Sequence, residues 1–116
     1  MTAAAPRLAL TLGDPAGIGP EILLKAFAQA PELTRGCFIV GDLDTLARAR
    51  GWLGHGVPPL QRIDAPRLNR ALPEGVIPVY QAVAEAPLVT PGQISAQAGA
   101  MAADCVVWAA RAALPT

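Results

Sequence analysis

The apolar positions of this chain alternate between short unbroken runs and stretches with three- and four-residue spacing. The run Arg7-Leu8-Ala9-Leu10-Thr11-Leu12 ends in a Gly/Pro loop, as an interior strand does. That loop, Gly13 to Gly19, meets Pro20, whose fixed φ and missing amide donor suit the first position of a helix. Ile22, Leu23, Ala26, Phe27 and Ala30 then predict one apolar helix face, with Lys25 and Gln29 off it and Pro31 ending the helix. The unit repeats. Cys37 to Val40 predicts a second buried strand closed by Gly41-Asp42, and Leu43, Leu46 and Ala47 predict a second helix with Arg48 and Arg50 on its solvated side.

Beyond Gly51 the pattern loosens through Gly54-His55-Gly56 and Pro58-Pro59, with shorter strand signals at Leu60 to Ile63 and Val76 to Tyr80. Thr90-Pro91-Gly92-Gln93 has the form of a capping box, with Thr90 accepting from the amide three residues on and Gln93 reaching back. Ile94, Ala98, Met101, Cys105 and Ala109 follow at helical steps, so a long buried helix is expected between Ile94 and Leu114. Strands alternating with helices predict an α/β fold on a parallel sheet with right-handed crossovers. In such sheets a ligand lies beyond the carboxyl ends of the strands, which is where the Gly13–Gly19 loop falls.

Composition narrows the picture. At 116 residues the chain has room for one domain. Hydrophobic residues at 53% against 16% charged, with mean hydropathy +0.38, exclude a disordered chain. Nine basic and nine acidic side chains give zero formal net charge, so neither nucleic acid nor an anionic membrane is expected as a partner. Zero net charge also suits a soluble monomer poorly and points to a partner surface. Cys37 and Cys105 form no CxxC and sit among apolar neighbours, so two buried thiols in a reduced, cytoplasmic setting are expected. The apolar start of the chain is cut at Gly13-Asp14-Pro15, too early for a signal-peptide core. Gln97, Asp104 and Arg111 interrupt the apolar stretch near the end, which a membrane span would need nearly uncharged.

The chemistry concentrates in Leu12-Gly13-Asp14-Pro15-Ala16-Gly17-Ile18-Gly19-Pro20-Glu21, where three glycines let the backbone approach a ligand or turn sharply. The spacing is neither GxGxxG nor GxxxxGK[ST], so the ordinary nucleotide fingerprints are absent. A helix amino terminus welcomes anions, yet Asp14 and Glu21 flank this one and repel a phosphate. Ribose hydroxyls, an amide or a partner's basic side chain suit it better. Residue chemistry alone equally supports a tight strand-to-helix turn, with Asp14 capping amides and Glu21 complementing the dipole. Elsewhere, Arg62, Arg67 and Arg70 gather around Pro66 as a solvated loop able to meet a phosphate. Trp52 and Trp108 are expected as packing residues on helices, and Tyr80-Gln81 could touch a ligand. Glu32 and Glu74 stand beside prolines, and no close carboxylate pair for acid/base work is evident.

LTLGDPAGIGPEI, running from Leu10 to Ile22, resembles the amino-terminal signature of the 4-hydroxythreonine-4-phosphate dehydrogenase family. Val40-Gly41-Asp42 and Leu88-Val89-Thr90-Pro91-Gly92-Gln93-Ile94-Ser95, leading through Gly99, extend the resemblance with gaps around residues 52 to 80. The loop is also distantly similar to the GDGIGPE turn of the isocitrate and isopropylmalate dehydrogenases, whose parallel-sheet sandwich the family shares. The resemblance implies NAD- or NADP-dependent oxidation of a small phosphorylated hydroxy amino acid followed by decarboxylation, in pyridoxal phosphate biosynthesis, by a cytoplasmic homodimer with a divalent metal. It places Gly13, Asp14, Pro15, Ala16, Gly17, Ile18, Gly19 and Glu21 near the cofactor. A relative acting on phosphorylated threonate or erythronate shares the same half.

The family's metal-binding histidines, its His-Thr pair and its basic substrate residues lie beyond the matched region. This chain has one histidine, His55, in a Gly-rich loop, so it holds no catalytic residue and no metal site. Residues 1–116 are thus expected to be the amino-terminal part of a longer α/β dehydrogenase, marginal and inactive alone, with apolar surface left for the remainder. A stand-alone α/β module binding a nucleotide or a protein through the Gly13–Gly19 loop is the alternative.

Overall fold

The computed structural model describes residues 7–64 and 71–114. Four strands, β1 (Leu8–Thr11), β2 (Cys37–Gly41), β3 (Leu60–Arg62) and β4 (Ile77–Gln81), pair all in parallel in the order β1-β2-β4-β3. Two helices join strands, α1 (Gly19–Gln29) and α2 (Leu43–Leu53), and a third, α3 (Ala96–Ala113), follows β4. The expected parallel α/β fold forms, and the two shorter strand signals become β3 and β4.

From β1 through β2 to β3 the chain moves across the sheet in one direction. With both crossovers of the usual right hand, α1 and α2 fall on the same face, and the two helices do pack against each other. In register, Leu10 stands beside Ile39, Ile39 beside Val79, and Val40 beside Tyr80. Because side chains alternate, Phe38, Val40 and Tyr80 point to the face opposite Ile39 and Val79. There α3 lies against the sheet: Trp108 stacks on Tyr80 at 4.1 Å between centroids and meets Phe38 edge-on at 6.2 Å. Leu12, Leu24, Ile39, Leu46, Ile77 and Val79 are fully enclosed, each worth about 1.5–3 kcal/mol relative to exposure.

Local corrections follow from how each helix enters the sheet. In α1 the buried face is Pro20, Leu24 and Phe27, and Ile22 points outward at 55% exposed. Gly19 packs against the end of β1 and turns Pro20 inward, so the positions four and seven residues on follow it. Arg48 and Arg50 are not solvated but half-buried. Arg50 donates through Nε to the Pro58 carbonyl (3.0 Å) and through Nη2 to Val57 (2.9 Å), and Arg48 donates through Nη1 to Val89 (2.7 Å). Their stems are long enough to cross the helix edge and reach loop carbonyls. Trp52 is not core. It is exposed, with the Arg48 guanidinium 5.3 Å from its ring centre.

The long helix starts at Ala96, capped by Ser95, whose Oγ accepts from the Ala98 amide at 3.1 Å. Thr90 does not cap it: Gly92 has φ +77°, outside helical space, so no helix can run from Thr90 through it. Ile94 is fully exposed, and α3 buries one face, Ala98, Met101 and Cys105, while Val106 and Val107 face outward. The helix expected to be buried is therefore an amphipathic one seated on the sheet by a single face. Of the two thiols Cys105 is buried, whereas Cys37 is only half-buried, toward the Leu33 carbonyl. No helix among the described residues is long and apolar enough to cross a membrane.

Candidate functional site

The carboxyl ends of β1, β2 and β4 are neighbours at one edge of the sheet, and each opens into a segment of different character. After β1 the chain runs through Leu12 and the Gly13–Gly19 loop. Asp14 Oδ1 accepts the Ala16 amide at 2.8 Å, and the Asp14 carbonyl accepts the Gly17 amide at 2.9 Å. A Cβ on Gly19 would stand 2.5 Å from the Leu12 carbonyl oxygen, so only glycine lets α1 start this close to the strand. The cap position, Ile18, contributes no side-chain hydrogen bond, and Glu21 lies in the first turn where the dipole favours it. Gly13, Asp14, Gly17 and Ile18 face solvent, Gly19 and Glu21 are half-buried, and Pro15 and Ala16 are buried. The eight expected cofactor-side residues thus divide into an exposed rim and a buried base.

After β2 the turn is closed by one residue. Asp42 is 4% exposed, and its Oδ2 accepts from the Thr45 amide (3.2 Å) and hydroxyl (2.7 Å). Its Oδ1 accepts from Gln81 Nε2 at 2.7 Å, while Gln81 Oε1 accepts the Leu43 amide at 2.7 Å and Nε2 also donates to Val83 at 3.1 Å. This network ties the end of β2 to the end of β4 and uses both Asp42 oxygens. Tyr80 and Gln81, considered for ligand contact, are instead held by Trp108 and by this network. The Asp42-x-x-Thr45 spacing is the sequence signal that marks the cap; the reach of Gln81 across the sheet leaves no local signal.

After β4 an irregular segment leads to Ser95. Val89 is buried, its carbonyl accepts from Arg48, and Gln97 Nε2 donates to Pro87 at 2.8 Å. The Gly92 amide donates to the Ala16 carbonyl at 2.7 Å, which joins this segment to the base of the Gly13–Gly19 loop. Two stretches far apart in sequence are thereby fixed side by side. Arg48 as their anchor was not legible in the sequence.

Other candidates stand apart. His55, Glu32 and Glu74 are exposed in turns, Arg62 is exposed on β3, and Arg67 and Arg70 lie outside the described residues. Burial pushes both thiols up, Cys105 to about 11 with Asp104 and Asp42 adding to the shift, so neither is a nucleophile near neutral pH. Among the described residues no three His, Cys, Asp or Glu side chains stand close enough to hold a metal ion, so they do not build the divalent-metal site the resemblance implies. The edge presents backbone and carboxylate groups able to bind.

No family model matches the chain. It is 43% identical over 96 residues to a D-threonate 4-phosphate dehydrogenase of Bordetella bronchiseptica, covering 81% of this chain and 27% of that protein. It is 37% identical over 95 residues to a 4-hydroxythreonine-4-phosphate dehydrogenase of Prosthecochloris aestuarii, covering 78% and 28%. The fold superposes on the crystal structure of the 4-hydroxythreonine-4-phosphate dehydrogenase of Klebsiella pneumoniae with a TM-score of 0.77 at 32% identity, covering 92% of this chain and 33% of that one. The chain therefore spans between about a quarter and a third of the length of these relatives.

Proposed function

We propose that this chain, a homologue of the 4-hydroxythreonine-4-phosphate dehydrogenase family over the stretch it spans, forms the cofactor-side part of a longer NAD(P)-dependent dehydrogenase. The enzyme oxidises 4-phosphooxy-threonine, the product decarboxylates, and the reaction serves pyridoxal phosphate synthesis. The observation that carries this reading is the bond from the Gly92 amide to the Ala16 carbonyl, which brings the two family-like segments together at the carboxyl edge of the sheet.

NAD or NADP would supply the hydride acceptor. Toward it the chain offers the exposed rim Gly13, Asp14, Gly17 and Ile18. The Asp14 carboxylate suits hydroxyl donors such as a ribose, while Asp14 and Glu21 together discourage a phosphate at the same spot. Pro15, Ala16 and Gly19 hold the rim in place from below. The divalent metal and the groups that move protons are assigned to the remaining part of the enzyme, which also completes the homodimer in the cytoplasm. D-threonate 4-phosphate is the second substrate reading, favoured by the B. bronchiseptica relative.

The test is a chimera. The 116 residues alone, given divalent metal, NAD(P) and either substrate, are expected to form no NADH. Replacing the corresponding stretch of the P. aestuarii enzyme with this chain is expected to restore NADH formation. A folded, dimeric chimera without activity would reject the reading.

A further inference from the structure

We infer that Arg48 is a positioning residue for the Gly13–Gly19 loop, acting through the segment that follows β4. The route is continuous. Arg48 Nη1 holds the Val89 carbonyl at 2.7 Å, the turn after Val89 closes through the Gln93 amide on Thr90, and the Gly92 amide then donates to the Ala16 carbonyl at 2.7 Å. Ala16 in turn gives its amide to Asp14, the acidic side chain on the exposed rim.

Arg48 is poorly explained as filling. Its Nε is buried without a partner, a defect that an unbranched apolar side chain of similar length would avoid. No carboxylate among the described residues pairs with it, and the Trp52 ring below it is itself exposed. What an apolar side chain cannot do is hold a carbonyl at a fixed point on the rim of α2. From Ala82 to Ser95 the chain has no helix or strand, and most of it is exposed. Its first two residues are tied to the sheet by the Ala82 amide on the Gly41 carbonyl, the Gln81 bond to the Val83 carbonyl and the buried Val83 side chain. Beyond them its ties to the body include the Val89 side chain, the Arg48 bond, the Gly92 bond and the Gln97–Pro87 contact. Removing the Arg48 tie lets the segment and the loop open together without opening the sheet.

The role rests on the cofactor-side reading only for what the positioned loop serves, and its test uses no cofactor. Amide hydrogen exchange is followed residue by residue in the full chain and in Arg48→Met and Arg48→Lys. The expected result is exchange at Gly92 and Ala16 faster by about tenfold or more in Arg48→Met. Ile39 and Val79 keep their protection, and Arg48→Lys, which can still hold one carbonyl, recovers part of it at Gly92. Unchanged Gly92 exchange, or a rise shared equally with Ile39, overturns the proposal. Should Arg48→Met not fold, exchange of the unaltered chain at low urea decides instead. A common urea dependence for the Gly92 amide and the Arg48 guanidinium protons supports the coupling, and Gly92 opening while those protons stay protected overturns it. A failed chimera together with Gly92 protection lost in Arg48→Met and partly recovered in Arg48→Lys would reject the enzymatic reading and leave the role of Arg48 standing.

Discussion

Two strand-to-helix turns at the same sheet edge begin with the same pair, Gly13-Asp14 after β1 and Gly41-Asp42 around the end of β2, and then diverge. In the second, Asp42 is itself the cap, buried, with its carboxylate taken by Thr45 and Gln81. In the first, Asp14 stays outside, the backbone detours to Ile18, and α1 starts without a side-chain cap while Ile18 is 71% exposed. This chain can close such a turn in one residue. The longer, uncapped form is therefore no requirement of the fold, and a loop that gives up a cap and exposes an isoleucine fits a surface meant to be covered by a ligand or partner.

The comparison breaks most sharply at Gly19. Gly19→Ala is expected to lower stability by about 2–3 kcal/mol, since its Cβ would sit 2.5 Å from a backbone oxygen that cannot step aside. Gly17→Ala, whose nearest contact would be 3.4 Å, is expected to change it by less than about 1 kcal/mol. Urea unfolding of the two variants is the check. Equal losses would mean that the close seat of α1 on β1 is not what shapes the first turn. Next is Asp42→Ala, expected to lose about 2 kcal/mol by removing the cap and leaving the Gln81 amide and Thr45 hydroxyl short of an acceptor.

The second turn was the more legible of the two. Apolar runs and helical spacing are local signals, so every strand and helix was expected near its place, and Gly41-Asp42 was placed correctly as the end of β2. Orientation was not local. Ile22 and Leu24 read alike along the chain, and only the contact of Gly19 with Leu12 decides which turns inward. Thr90 was the expected cap of α3, but the left-handed Gly92 takes it out of the helix and the cap is Ser95, which the sequence reading did not single out. Arg48, Arg50 and Gln81 look like surface residues in sequence because their partners are carbonyls and side chains many positions away. The loop residues were legible as a motif, while their division into exposed rim and buried base needed the fold.

Cys105 lies under both turns, with Leu12's backbone near its sulfur and Asp42 among the charges acting on it. Its folded pKa is raised to about 11 from 9.0, so the neutral thiol is the form the fold favours. Its stabilising share is full below about pH 9 and is lost as pH climbs toward 11. Melting temperature against pH should fall over that interval, and Cys105→Ala should flatten the fall. A parallel decline in both chains would show that the thiol is not the titrating group.

The smallest effect is expected at Asp14. Asp14→Ala removes the bond to the Ala16 amide but leaves the Gly17 bond to the Asp14 carbonyl, and the residue is exposed, so the loss should stay below about 1 kcal/mol. The ranking is what matters. If Asp14→Ala costs as much stability as Asp42→Ala, the first turn is held by its aspartate as the second is, and its exposure needs no ligand to account for it. If it costs little stability yet lowers NADH formation in the chimera, the carboxylate is kept at the rim for what it meets there. The same Gly-Asp pair would then act as a fold element at one turn and as a binding element at the other.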